Sequence, residues 1–461
     1  MQTHWRLSEI AEAVGGQLVG DDVCVTGPIV TDSREVGAGS LYIAREGENV
    51  DGHRFLPQAA TGGAVAAVVS DAQAATDAGL PAVVVADPTL ALGDLARAHL
   101  ERLRATGPRS VIAITGSAGK TTTKDLLRQV LDRVAVTVAP RLSYNNEVGM
   151  PLTVLSAGPD TRYLVLEMGA SGVGHIAYLT QIAAPDVAVE LIIGQAHLGG
   201  FGSVEALSEA KAELVDGLVP GGTAVLNADD PRAAAMASRA EHVVTFGRVQ
   251  DADVRATNVS LDALRPCFTL TWRGASAPVR LQLVGDHHVT NALAAAAAAL
   301  SVGVDLDTIA AALSEARPLS PHRMAVSELT GGAILIDDSY NANPDSLRAG
   351  LDALCEMSRT RCGRSLAVIG EMRELGDESR RLHAECGEYA RSLGITHTVS
   401  LGGYADDFAA AAGSHSRADS LEDAVAFIRE WAHAGDVVLV KGSNASGACR
   451  VADAVSEEEP R

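Results

Sequence analysis

Val111-Ile112-Ala113-Ile114-Thr115-Gly116-Ser117-Ala118-Gly119-Lys120-Thr121-Thr122-Thr123-Lys124-Asp125-Leu126-Leu127 reads as a strand, a glycine-rich turn and a helix. Small and β-branched apolar residues run into Thr115-Gly116, and Gly119-Lys120-Thr121 opens a segment with apolar residues at helical spacing. Phosphates bind at such turns because N–H groups at a helix start point at the anion and the helix dipole favours its charge. Gly116, Ser117, Ala118, Gly119, Lys120, Thr121 and Thr122 are therefore the candidate nucleotide-binding residues. Lys120 is expected to reach the outer phosphates, and Thr121 Oγ1 to hold Mg²⁺. The general Walker A spacing asks for a glycine where this chain has Ile114; the string here is the shorter Thr-Gly-x-x-Gly-Lys-Thr-Thr.

The phosphate turn sits in a chain of 461 residues, long for a single core, so two or three domains are expected. Aromatic residues are only 3%, which leaves Ala, Val, Leu and Ile to build the cores. The net charge of −21 argues against general binding to nucleic acid or anionic membranes, and an anionic ligand must be held by local devices. Six scattered cysteines without CxxC or zinc spacing point to reduced thiols in a cytoplasm. Neither a signal peptide nor a membrane span is expected.

Residues 1–106 form a first unit, with a short helix over Leu7–Val14 stopped by Gly15-Gly16 and buried strands at Val65–Val69 and Ala82–Val85. Ser33-Arg34 follows a strand signal; on local evidence a surface ion pair is the simpler fate for Arg34. Residues 107–318 form the second unit. Apolar strands recur after the phosphate turn at Tyr163–Met168, Asp186–Val189, Thr223–Asn227 and Val243–Phe246, separated by helical patterns. This is the signature of βα units on a parallel sheet, whose ligands sit beyond the carboxyl ends of the strands. Alternating runs at Phe268–Trp272 and Val279–Leu283 suggest an antiparallel addition, and Asn291 opens an alanine-rich helix through Leu300. Residues 319–461 form a second doubly wound α/β unit, with strands at Ala333–Asp338, Leu366–Gly370, Thr398–Gly402 and Asp436–Lys441 and no glycine fingerprint of its own.

Three further groups carry chemistry or merely charge, two of them near expected strand ends. Glu167 is in line to share magnesium with Thr121. His197 lies in a glycine-rich loop after a strand. Lys211, in Glu209-Ala210-Lys211-Ala212-Glu213, has the local pattern of a solvated helix surface. Gly172-Val173-Gly174-His175-Ile176-Ala177 spells a dinucleotide fingerprint, but it starts several residues beyond its strand and competes with a better phosphate site.

These strings resemble those of the Mur ligases, ATP-dependent amide ligases of peptidoglycan precursor synthesis. The resemblance spans the chain: Thr31-Asp32-Ser33-Arg34, the phosphate turn, Tyr144-Asn145-Asn146-Glu147-Val148-Gly149-Met150-Pro151, Leu166-Glu167-Met168-Gly169, Ala196-His197-Leu198, Ala210-Lys211-Ala212-Glu213 and Asn291-Ala292-Leu293. Tyr340-Asn341-Ala342-Asn343-Pro344 and Gly370-Glu371-Met372-Arg373-Glu374-Leu375-Gly376 resemble the member that joins D-alanyl-D-alanine to a UDP-N-acetylmuramoyl-tripeptide.

The resemblance implies three α/β domains: an N-terminal one for the UDP-sugar, a central P-loop ATPase-like parallel sheet with an antiparallel addition, and a C-terminal Rossmann-like lid. It implies ligation through an acyl phosphate, giving a UDP-muramoyl-pentapeptide, with ATP and Mg²⁺ as cofactors, small-molecule substrates only, and a cytoplasmic monomer. Lys120, His197 and Lys211 would be catalytic, with Lys211 carbamylated into an anionic ligand. Thr121 and Glu167 would hold one Mg²⁺, and His197 with Lys211 a second. Asn291 would contact adenine, and Arg323 and Asp338 would reach ATP from the lid. Ser33 and Arg34 would meet the UDP moiety, and Asn145, Asn146 and Thr153 the muramoyl-peptide.

The chain departs from the family pattern at Ile192, where asparagine is usual, at Glu190, which interrupts an apolar strand, and at His288. The Ile192 departure keeps in view a paralogue using another acid or amine such as a depsipeptide, and a nucleotide-dependent regulatory protein without ligase activity; a folylpolyglutamate synthetase-like ligase is a third alternative, against which the Tyr340–Pro344 string argues.

Overall fold

The computed structural model of the chain describes residues 4–47, 50–140, 142–194, 201, 203–262 and 264–457. Ser110–Thr115 lies inside a nine-stranded sheet, between Tyr163–Glu167 on one side and Val187–Glu190 on the other, parallel to both. Val111, Ile112, Ala113 and Ile114 are fully buried, as a strand covered on both faces requires. From this strand the chain first builds one flank, through Thr137–Val138 and Tyr163–Glu167. It then crosses to build the other, through Val187–Glu190, Thr223–Asn227 and His242–Gly247. The reversal leaves a crevice at the carboxyl end of Ser110–Thr115, the place where open α/β sheets bind ligands.

The antiparallel addition is Val254–Asp262, Arg265–Trp272 and Ala275–Arg280. The last strand starts four residues before the expected Val279. A two-residue turn sets its register: Arg273 and Gly274 both have positive φ, at 49° and 85°, and pair Trp272 with Ala275. Alternation alone did not reveal that turn.

The alanine-rich helix runs His288–Ser301, one turn earlier than expected, and every residue from Ala292 to Ala299 is fully buried. It packs on the Lys120–Leu131 helix and on the sheet. Short side chains let these layers approach closely in a chain with few aromatic residues.

A five-stranded sheet precedes the central one, in the order Gln17–Val19, Ala82–Val84, Ala64–Val69, Ser40–Ile43 and Ile29–Val30. The Pro88–Ala105 helix ties the two together. Its Ala91, Leu92 and Leu95 enter the core around Trp5, while Ala96, Leu100 and Leu103 enter the core beneath the central sheet.

The six-stranded third sheet contains the four expected strands as Ile334–Asp338, Ser365–Ile369, His397–Ser400 and Val437–Lys441. Val437–Lys441 returns to lie between Ile334–Asp338 and Ser365–Ile369. Two further strands lie at its edges, Ala325–Glu328 and His415–Arg417. Both are short and largely exposed, so neither carries the apolar run that marks a buried strand.

Candidate functional site

The turn after Thr115 is shaped by two glycines. Gly116 has φ 149° and Gly119 φ 85°. A Cβ on Gly119 would stand 2.4 Å from Asn291 Oδ1, and one on Gly116 2.8 Å from Leu191 Cβ. The loop therefore lies pressed between the Val187–Glu190 strand end and the alanine-rich helix, with no room for side chains. The Lys120–Leu131 helix starts without a capping side chain or an acidic residue in its first turn, which leaves its positive end open to an anion. Lys120 Nζ donates to the Gly116 carbonyl at 2.6 Å. Burial pulls its ammonium below the usual value, and the carboxylate of Glu167 opposes this.

Thr121 Oγ1 lies within 3.1 Å of Ser143 Oγ and 3.3 Å of Glu167 Oε2, and Ser143 donates to the same carboxylate oxygen at 2.9 Å. Glu167 is fully buried and its Oε1 has no hydrogen-bond partner among the described residues. Burial raises its pKa, with Lys124 and Lys120 acting against the rise. Lys124, equally buried, lies 3.8 Å from Oε1 and is anchored by Asp125 and the Pro140 carbonyl. Two hydroxyls and an under-satisfied carboxylate beside a phosphate loop are a hard-oxygen set that suits Mg²⁺. Among the described residues no group of three or more His, Cys, Asp or Glu is gathered as a metal site.

The third sheet closes the crevice into a cleft of about 450 Å³. Its far wall holds Arg323, Asp338, Tyr340, Asn341, Asn343 and Lys441. Arg323 donates to Thr121 Oγ1 at 3.4 Å and lies over the Tyr340 ring, 4.2 Å from its centroid. Asp338 forms a buried ion pair with Lys441, whose Nζ also donates to the Asn341 carbonyl at 3.0 Å. At the other end, Asn291 Nδ2 lies 3.2 Å from His288 Nδ1, and His287 and His288 rings are 4.1 Å apart. Burial, then the neighbouring His287, pushes the pKa of His288 well down, so it is a neutral imidazole.

Lys211 overturns its local pattern. On the Val204–Asp216 helix it is only 1% exposed, because the helix lies on the central sheet with this side inward. Burial is the main cause that pulls its pKa to about 7, with Lys120 adding repulsion and Glu190 opposing. Glu190 ends its strand instead of interrupting it and is fully buried; burial pushes its carboxyl up to about 8 against Lys211 and Lys120. Neither residue lines the cleft; both lie behind its wall. Ile192 does line it, 39% exposed, and its carbonyl accepts from Ser117 N at 2.7 Å.

The remaining candidates divide. Ser117, Ala118, Gly119, Lys120, Thr121, Thr122, Asn145, Asn291, Arg323 and Asp338 line one cleft. Asn146 is exposed, and its side chain caps the Gly149–Leu155 helix at Gly149 N, 2.9 Å away. Thr153 is buried with its hydroxyl on the Gly149 carbonyl. Ser33 and Arg34 lie outside the cleft: Ser33 bonds Gln58, and Arg34 pairs with Asp32 at 2.6 Å with its side chain 82% exposed. His197 lies outside the described residues. At the dinucleotide-like string, Gly174 N and Ala177 N already donate to Glu213 at 2.6 and 2.9 Å. A side-chain carboxylate thus occupies the place a pyrophosphate would need. Sequence reasoning gave no role to Ser143, His287 or Asn343; the Tyr340–Pro344 string was the signal for Asn343, and nothing local marked Ser143.

Residues 28–100 match the Mur ligase family catalytic domain, 114–299 the Mur ligase middle domain, and 322–444 the Mur ligase glutamate ligase domain. The UDP-N-acetylmuramoyl-tripeptide–D-alanyl-D-alanine ligase of Mycobacterium tuberculosis is 42% identical, covering 98% of each chain. The enzyme of the same name from Escherichia coli is 36% identical, covering 86% of this chain and 85% of its own. Among solved structures, MurF from Acinetobacter baumannii is similar at TM-score 0.88 and 32% identity, over 99% of this chain and 100% of its own. The Thermotoga maritima MurF ligase, solved with ADP, reaches TM-score 0.80 at 28% identity, over 94% and 97%. With the fold, the phosphate loop and relatives matched over nearly its whole length, the chain belongs to the Mur ligase family.

Proposed function

We propose that this protein joins D-alanyl-D-alanine to a UDP-N-acetylmuramoyl-tripeptide, using ATP and releasing ADP and phosphate. The observation that carries the reading is the shared cleft: the phosphate loop of the central sheet faces Arg323, Asp338, Asn343 and Lys441 of the third. A full-length likeness to ligases of this name supports it.

The chemistry sets the demands. A carboxylate is a poor acyl donor until its oxygen is phosphorylated, and phosphoryl transfer brings two anions together. Lys120 and the open helix start neutralise the nucleotide's outer phosphates from below. Arg323, fixed over Tyr340 and bonded to Thr121, adds positive charge from above. Thr121, Ser143 and Glu167 would hold one Mg²⁺, and His197 with carbamylated Lys211 a second; bound there, the ions would supply Lewis-acid neutralisation of the phosphates. The lowered pKa of Lys211 favours the free amine, the form that reacts with CO₂. Asn291 is assigned to adenine, and Asn145, at the cleft edge, to the muramoyl-peptide. Residues 1–106, 107–318 and 319–461 would bind the UDP-sugar through Ser33 and Arg34, bind ATP, and close over it, respectively.

Comparing ADP release with the tripeptide precursor, with folate and with each dipeptide or depsipeptide tests this. Turnover with the precursor and D-alanyl-D-alanine is expected. Turnover with folate alone, or ATP binding without any ligation, would overturn it in favour of a folylpolyglutamate-type or regulatory role.

A further inference from the structure

Glu190 is fully buried, and neither of its carboxylate oxygens has a hydrogen-bond partner among the described residues. The Oγ1 of Thr115 is likewise buried and unpartnered. The two residues are register partners in adjacent parallel strands. Alternation puts them on one face of the sheet. Ile112, Ile114, Val187 and Val189 enter the core on the phosphate-helix side, while Val111, Ala113 and Ala188 enter the opposite core with Leu214. Thr115 and Glu190 share the parity of the second set. That face is covered by the Val204–Asp216 helix, which carries buried Lys211. An acceptor and a donor without partners thus lie on the face that Lys211 covers, directly behind the phosphate loop. Buried polar groups are rarely left so, and the cluster calls for a species that bonds both.

We propose that Glu190 and Thr115 cradle a carbamate on Lys211, with Glu190 accepting its N–H and Thr115 donating to one of its oxygens. This rests on the assignment of Lys211 given above. In forming the group, the Lys211 Nζ lone pair makes the N–C bond to CO₂. One C–O π pair moves onto oxygen to complete the carboxylate, and the proton leaves nitrogen for water. A secondary carbamate keeps one N–H, which needs an acceptor in a dry site, and it gains oxygens that accept. Glu190 and Thr115 match that inventory, and the remaining carbamate oxygen is free to turn toward the cleft. The charge of Lys120, which acts on both Glu190 and Lys211, offsets the carbamate, and Glu190 keeps an acceptor oxygen whether or not its carboxyl is ionised. Glu190 and Thr115 are positioning residues in this account.

The test is ¹³C NMR of the full-length protein in ¹³C-bicarbonate, without metal or nucleotide. Wild type should show a carbamate carbonyl resonance that Lys211→Ala removes. Glu190→Ala should lower its occupancy about tenfold, the effect of leaving the buried carbamate N–H without an acceptor. Glu190→Gln, which keeps an acceptor oxygen, should retain most of it, and Thr115→Val should lower it. Thermal melting confirms that each variant is folded. A full-intensity resonance in folded Glu190→Ala overturns the cradle alone. No resonance in wild type overturns both the cradle and the carbamate assignment of Lys211.

Discussion

Asn343 Nδ2 donates to the carbonyl of Ser117 at 3.4 Å, so the lid touches the phosphate loop here as well as through Arg323 at Thr121. The same side chain caps the Pro344–Arg361 helix, its Oδ1 accepting from Ser346 N at 2.8 Å. One residue thus both starts a lid helix and bonds the loop that binds nucleotide.

The two roles separate by substitution. Asn343→Asp keeps a good cap but loses the donor and brings a negative charge toward the phosphates. Its melting temperature should stay near wild type while KM for ATP rises about tenfold, from the lost neutral hydrogen bond together with the carboxylate brought toward the phosphates. Asn343→Ala should lose about 1 kcal/mol of stability as well. Steady-state kinetics beside thermal melts check this; an unchanged KM in Asn343→Asp would remove the contact from nucleotide binding.

Lys120→Ala should abolish ligation and leave the fold intact, because the buried ammonium is a cost to the apoprotein and a gain only with phosphates present. Circular dichroism and ADP release on the same sample read both halves. Near-normal turnover by the folded variant would contradict the role.

His288 gives a pH signature. Buried neutral in the fold, it takes up a proton on unfolding below its ordinary value of about 6.5. The unfolded state then binds more protons, so stability rises with pH toward that value and is lost as pH falls beneath it. His288→Asn should flatten the acid limb by up to about 1.4 kcal/mol per pH unit. Denaturant midpoints between pH 5 and 7 measure it; parallel limbs for the two proteins would refute it.

The thiols should sort by burial. Cys386 is fully buried, and burial pushes its thiol up to about 11, whereas Cys24 and Cys362 are exposed. An alkylating reagent on native protein should modify Cys24 and Cys362 and spare Cys386 until denaturant is added, read by peptide mass mapping. Early modification of Cys386 would mean that the lid opens at its core.

The phosphate loop and its flanking strands were legible because glycines, β-branched runs and helical spacing are local signals. The order of strands around Ser110–Thr115 was not legible, because the crossover that carries the chain from one flank to the other leaves no local signal. The Ala275 strand start was not, since Arg273 joins Gly274 at positive φ and only the register of the hairpin shows it. Lys211 was misread for a different reason. Its neighbours Glu209 and Glu213 mark a polar helix, and burial of a single lysine depends on how that helix meets the sheet. Ser143 had no sequence signal because its role comes from a loop folding back to Glu167. Glu190 looked like a break in a strand; only the register with Thr115 shows it as one of a buried pair.

The most direct measurement mixes purified protein with ATP, the UDP-N-acetylmuramoyl-tripeptide and D-alanyl-D-alanine, and follows ADP together with product mass. ADP should form stoichiometrically with a UDP-muramoyl-pentapeptide and should fall to background when any one of the three substrates is left out. Equal ADP release without the dipeptide, or a product lacking its mass, would contradict the assignment of this chain as the ligase.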